Sequence, residues 1–160
     1  MNRLPLPAFA IVCACVVLTA CGPSEPSGAG ATTYEIAVIP KGTTHEFWKS
    51  IHAGAVKAER ELTANGVTTH VVWQGPLKED DRDAQIQVVE NAVARRVSGL
   101  VLAPLDAHAL VQPVASAIAA GIPVVIIDSG LERETVSFIA TDNHQGGVLA
   151  ARHLSELLGG

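Results

Sequence analysis

The side chains with chemical potential fall in short clusters far apart in sequence: Lys41, His45, Phe47 and Trp48, then Gln74, then Asp128 and Ser129, then Asp142 and Asn143. Together they supply rings, carboxylates, amides and hydroxyls. That mixture suits a neutral polyol, because aromatic faces cover C–H groups while carboxylates and amides take hydroxyls in paired hydrogen bonds. It offers little for bond breaking. Ser129 beside Asp128 has no placed histidine and no nucleophile elbow, so catalysis is not expected. The six histidines include no i, i+4 pair with a nearby carboxylate, and no metal or other cofactor is expected. The acidic run at 78–83, KEDDRD, lacks the alternating ligands and central glycine of a calcium loop and reads as a solvated helix start.

Phe47 and Trp48 pose a geometric question. Aromatics make up only 4% of the chain, yet these two are adjacent where a helix begins. Neighbouring helical positions point about 100° apart, so one ring can enter a core while the other faces elsewhere. The apolar stripe of that helix runs through Phe47, Ile51, Ala55, Ala58 and Leu62, which favours Trp48 as the ring that meets a ligand; both stay candidates.

The elements that must position these clusters alternate. Continuous apolar runs at 34–40, 67–73, 99–105, 122–128 and 135–140 read as strands. Between them lie amphipathic helices. The first has Thr43 and Glu46 at capping-box spacing and ends at Asn65-Gly66. The second carries Ile86, Val89 and Val93. The third carries Leu110, Val114 and Ile118 behind a capping Asp106 and stops at Gly121 and Pro123. A last helix starts near Asn143. The pattern predicts an open, doubly wound α/β layer, a parallel sheet covered on both faces. In such sheets ligands bind just beyond the carboxyl ends of the strands, where every cluster named above falls. The glycines of GAGATT precede the first strand, and DNHQGG lacks the ending of a phosphate loop, so neither is a nucleotide fingerprint.

The first 20 residues stand apart. A short cationic start, an apolar run and small residues at its end fit an export signal rather than a membrane span. The run closes on Leu18-Thr19-Ala20-Cys21, which looks like a bacterial lipobox, with Cys21 as the lipidated residue and a Gly/Pro/Ser-rich linker over 21–33. Cys13 and Cys15 would leave with the signal, so a mature chain would hold no free thiol and no disulfide. The formal charge of −5, with no run of Lys or Arg, argues against nucleic acid as a partner.

Taken together, the lipobox, AVIPKGTTHEFWKSIHAGAVKA, GLVLAPLDAHAL, AAGIPVVIIDSG and SFIATDNHQGGVLAARHL resemble the type I periplasmic solute-binding proteins of ABC sugar importers, the ribose-binding group. The resemblance covers 34–160. It implies a first α/β lobe over 34–141 and the start of a second, truncated lobe over 142–160. It implies an aromatic pair, Phe47 and Trp48, stacked on sugar, a sugar-binding carboxylate at Asp128, and a crossover at Asp142 and Asn143. It further implies a sugar or polyol ligand, an ABC permease with its ATPase as partners, and a place in the periplasm or cell envelope on a lipid anchor. Three positions depart from the ribose binders: His45 stands for an Asn, Ala103 for an Asn, and Ser129 for an Arg. Ribose itself is therefore in question. A sensor feeding a membrane kinase or chemoreceptor is the alternative. A lactose-repressor-type regulator is disfavoured, since no helix-turn-helix precedes Tyr34.

Overall fold

The computed structural model describes residues 32–159; the expected export signal and Cys21 lie outside them. Strands and helices alternate as β1 Tyr34–Ile39, α1 Glu46–Ala64, β2 Thr69–Trp73, α2 Arg82–Ala94, β3 Gly99–Leu102, α3 Val111–Ala119, β4 Val124–Ile127, β5 Ser137–Ile139 and α4 Asn143–Leu157. All five strands are parallel in the order β2-β1-β3-β4-β5. Ile39 lies opposite Leu102, Leu102 opposite Ile126, and Ile127 opposite Ile139. The carboxyl ends are thus held level.

The chain steps outward from β1 to β2, then returns past β1 to β3. Right-handed crossovers therefore place α1 and α2 on opposite faces, and the order reverses between β1 and β3. An open α/β sheet leaves a crevice at such a point. The main core lies on the α2/α3 face, where Ala37, Ile39, Leu100, Leu102, Val124 and Ile126 meet Val89, Leu110 and Val114. Gly66 and Gly121 follow α1 and α3 at φ of 86° and 79°, the left-handed conformation that ends a helix with least strain in glycine.

Three local expectations need correction. Thr43 does not cap α1. His45 does, its Nδ1 accepting from the Phe47 N–H at 3.2 Å, while Thr43 Oγ1 donates to the Pro76 carbonyl. The α1 stripe is turned by one residue: Trp48 is buried at 2% exposure, whereas Phe47, Ala58 and Leu62 are exposed. In α3, Ala117 rather than Ile118 enters the core, and Asp106 caps a turn ahead of the helix by accepting from His108 N and Ala109 N at 2.9 and 2.8 Å. Those two N–H groups, Ala109 foremost, hold the Asp106 carboxyl below its ordinary pKa.

Candidate functional site

The site is built from loops that the sheet brings to one edge. The β1–α1 loop is fastened to the β2–α2 loop, since Thr43 N and Thr43 Oγ1 both reach Pro76 O and Thr44 Oγ1 reaches Leu77 O. Trp48 completes this fastening. Its indole Nε1 donates to Glu79 Oε1 at 2.7 Å, so the polar atom of a buried ring is satisfied by a carboxylate of the second loop. Phe47 stands edge-to-face on Trp48, with ring centroids 4.9 Å apart and planes at 80°. At 47% exposure it is the ring that faces solvent. The apolar stripe favours the reverse exposure, with Trp48 outward; Trp48 is buried, yet it lines the same cleft as Phe47. A period of 3.6 accommodates either residue, and what decides between them is the partner for the indole N–H, which only tertiary structure supplies.

The role of Trp48 is testable in the fold alone. Trp48→Ala is expected to cost about 3–5 kcal/mol, the range for truncating a large buried aromatic. Trp48→Phe keeps an aromatic ring but removes the bond to the exposed Glu79 carboxylate and should cost about 0.5–1.5 kcal/mol from that bond. Urea unfolding monitored by circular dichroism reads both. A Trp48→Phe protein as stable as the parent would show that the Glu79 bond contributes nothing.

Below the rim a buried glutamine sets the height of two strand ends. Gln85, fully buried on α2, donates through Nε2 to Pro40 O at 3.0 Å and to Ala103 O at 2.8 Å, while its Oε1 accepts from Leu105 N at 2.8 Å. All of its amide groups are used, and the ends of β1 and β3 are tied to one side chain. The sequence reading missed it. Its signal was present, because Gln85 lies four before Val89 and seven before Ala92, on the stripe that is in fact buried.

Pro40 leads directly into Lys41. The Lys41 ammonium lies 2.8 Å from Asp128 Oδ2 and 2.5 Å from Ser129 Oγ, and Ser129 Oγ donates to the same Asp128 oxygen at 3.1 Å. Three expected site residues, from the ends of β1 and β4, are thus brought together. Asp128 has φ of 65°, and Ser129 N bonds Ile127 O across it at 2.8 Å, the pattern of a γ-turn. A non-glycine residue held there costs on the order of 1–3 kcal/mol, and such strain gathers where a side chain must be aimed. The turn leaves Asp128 Oδ1 free of the Lys41 and Ser129 contacts, which both fall on Oδ2.

Asp128 opens onto a cleft of about 460 Å³ whose walls include Phe47, Trp48, Ile51, Ile139, Thr141 and Asn143. Asp142 lies just outside, capping α4 by accepting from Gln145 N at 2.8 Å. His45 and Gln74 are exposed and do not line this cleft: His45 is occupied as the α1 cap, and the Gln74 N–H donates to Val38 O beside edge strand β2. Among the described residues no group of three or more His, Cys, Asp or Glu gathers in a way that could hold a metal ion. The cleft thus presents an aromatic face, a carboxylate oxygen clear of the Lys41 and Ser129 contacts, a hydroxyl and an amide, groups that can cover the C–H face of a small polar ring and hydrogen-bond its substituents.

The fold is an α/β lobe with a cleft at the carboxyl ends of its strands, and comparison with known proteins assigns its family. The signature of the periplasmic binding protein domain matches residues 36–160, and the chain belongs to that family. It is 35% identical over 156 residues to the D-ribose/D-allose-binding protein of Pseudomonas aeruginosa, covering 91% of this chain and 48% of that protein. It is 29% identical to the ribose import binding protein of Bacillus subtilis, covering 89% of this chain and 47% of the relative. Among solved structures, an ABC transporter solute-binding protein of Agrobacterium vitis with bound D-fucose superposes with a TM-score of 0.67 at 40% identity, over 78% of this chain and 43% of that one. The chain spans about half the length of the curated relatives it matches.

Proposed function

We propose that this chain forms the first jaw of a lipid-anchored solute-binding protein that captures a neutral sugar or polyol for an ABC importer. Residues 34–141 are the first lobe, and residues 142–160 begin the second. The observation that carries the reading is the joint presentation of exposed Phe47 and the aimed Asp128 carboxylate in one cleft. A pyranose or furanose ring has C–H faces for Phe47 and hydroxyl donors for Asp128 Oδ1, Thr141 and Asn143, the match that small-ligand sites require. The relatives named above are sugar binders, which favours a sugar and favours import over a sensor. Such a protein changes no bonds. It closes on its ligand in the periplasm or cell envelope and hands it to a permease powered by an ATPase, with Cys21 carrying the lipid.

Two experiments test this. In the full-length protein, Phe47→Ala should weaken sugar binding by about tenfold while Phe47→Tyr preserves it, since stacked aromatic contacts contribute about 0.5–1.5 kcal/mol beyond the area they bury. Equal affinity in Phe47→Ala would remove the ring from the site. Growth on radiolabelled palmitate should label the protein, and Cys21→Ser should abolish the label; a labelled Cys21→Ser protein would refute the anchor.

A further inference from the structure

We infer that Lys41 sets the charge preference of the cleft, making it a site for neutral sugars and turning away amino sugars; the inference rests on the sugar reading above. Asp128 alone is charged among the residues lining the cleft. A lone carboxylate beside an aromatic ring would be an attractive seat for an ammonium group, through both ion pairing and cation–π contact. Lys41 does not itself line the cleft, but it changes that balance through its ion pair with Asp128. Its side chain is 19% exposed and its ammonium lies 2.8 Å from Asp128 Oδ2, so the pair adds no net charge to the cleft.

The geometry divides the work between the two carboxylate oxygens. Oδ2 takes Lys41 and Ser129, while Oδ1 is left to accept a ligand hydroxyl. An ammonium in the ligand's place would stand close to the Lys41 ammonium and meet a carboxylate already compensated. A ligand carboxylate would meet Asp128 itself. A hydroxyl pays neither penalty, and so the pair discriminates against both signs of charge. Ser129 fixes this arrangement by bonding both members, to Lys41 at 2.5 Å and to Asp128 at 3.1 Å.

The test is a calorimetric comparison on the full-length protein with D-glucose, D-glucosamine and D-glucuronate, the matching galactose series, and the tightest-binding neutral sugar found. The unaltered protein should prefer neutral sugars. Lys41→Met, which keeps the stem and removes the charge, should raise the affinity for amino sugar relative to neutral sugar by about tenfold or more. Asp128→Asn frees the Lys41 ammonium and should raise the ratio of uronate to neutral sugar by a similar factor. The double variant K41M/D128N, uncharged again, should lose both gains. If Lys41→Met melts well below the parent, Lys41→Gln serves in its place. Ratios within about twofold of the parent in both single variants overturn the assignment. If no neutral sugar binds the unaltered protein, the sugar reading fails first; if sugars bind and the ratios stay fixed, only the role of Lys41 fails.

Discussion

Replacing Gln85 by leucine is expected to destabilise the domain by about 2–5 kcal/mol, because it leaves two buried carbonyls and one half-buried N–H without partners at about 1–3 kcal/mol each, partly relieved by local adjustment. Those groups are Pro40 O, Ala103 O and Leu105 N, and each ends a strand or opens the loop that follows it. Against a typical total of about 5–15 kcal/mol the loss is large, so much of the variant should be unfolded or aggregated on expression. Gln85→Glu separates volume from hydrogen bonding. It can still accept from Leu105 N but turns an oxygen toward two carbonyls, and it should be nearly as damaging. Urea unfolding midpoints measure both. A shift below about 1 kcal/mol for Gln85→Leu would mean that the strand ends hold their height without it.

Asp128→Asn should have the opposite profile, with little change in fold and a large loss in binding. Asn tolerates the left-handed backbone better than most residues, so the turn with φ of 65° should persist. What disappears is the charged acceptor. Hydrogen bonds to charged groups contribute about 1.5–3 kcal/mol, so neutral-sugar affinity should fall by roughly 10- to 150-fold. Asp128→Gly offers a second reading, because glycine relieves the strain and should raise the melting temperature while it removes binding. A variant that binds sugar as tightly as the parent would show that the turn has another purpose.

Much of the fold was legible because parallel strands buried on both faces write themselves as apolar runs. VVII at β4 and GLVL at β3 leave few other assignments, and the glycines after α1 and α3 mark their ends. The lateral order of the strands is not written in any one of them. It follows from crossover handedness and from which helix faces pack. The rim was legible as a set of positions, since strand ends announce themselves, and Lys41, Asp128 and Ser129 do converge. What escaped were rotations of about one residue. In α1 and α2 apolar spacing alone does not fix which of two neighbouring residues turns inward, and long-range polar partners then decide. Glu79 fixes Trp48 inward across 31 residues of sequence, and Pro40 with Ala103 fix Gln85 across 45 and 18. In sequence His45 is a ligand candidate, and in the structure its ring is the cap that starts α1. Short-range capping competes with binding for the same polar side chains, and the spacing of Thr43 and Glu46 pointed to the wrong cap.

The most direct test is calorimetric titration of the full-length protein with D-ribose, D-allose, D-arabinose, D-fucose, D-tagatose and xylitol, with amino acids as the contrasting class. A saturable, one-site heat for at least one neutral sugar or polyol, lost in Asp128→Asn at an unchanged melting temperature, is the predicted result. Heat from an amino acid and none from any sugar, or sugar binding indifferent to Asp128, would contradict the account.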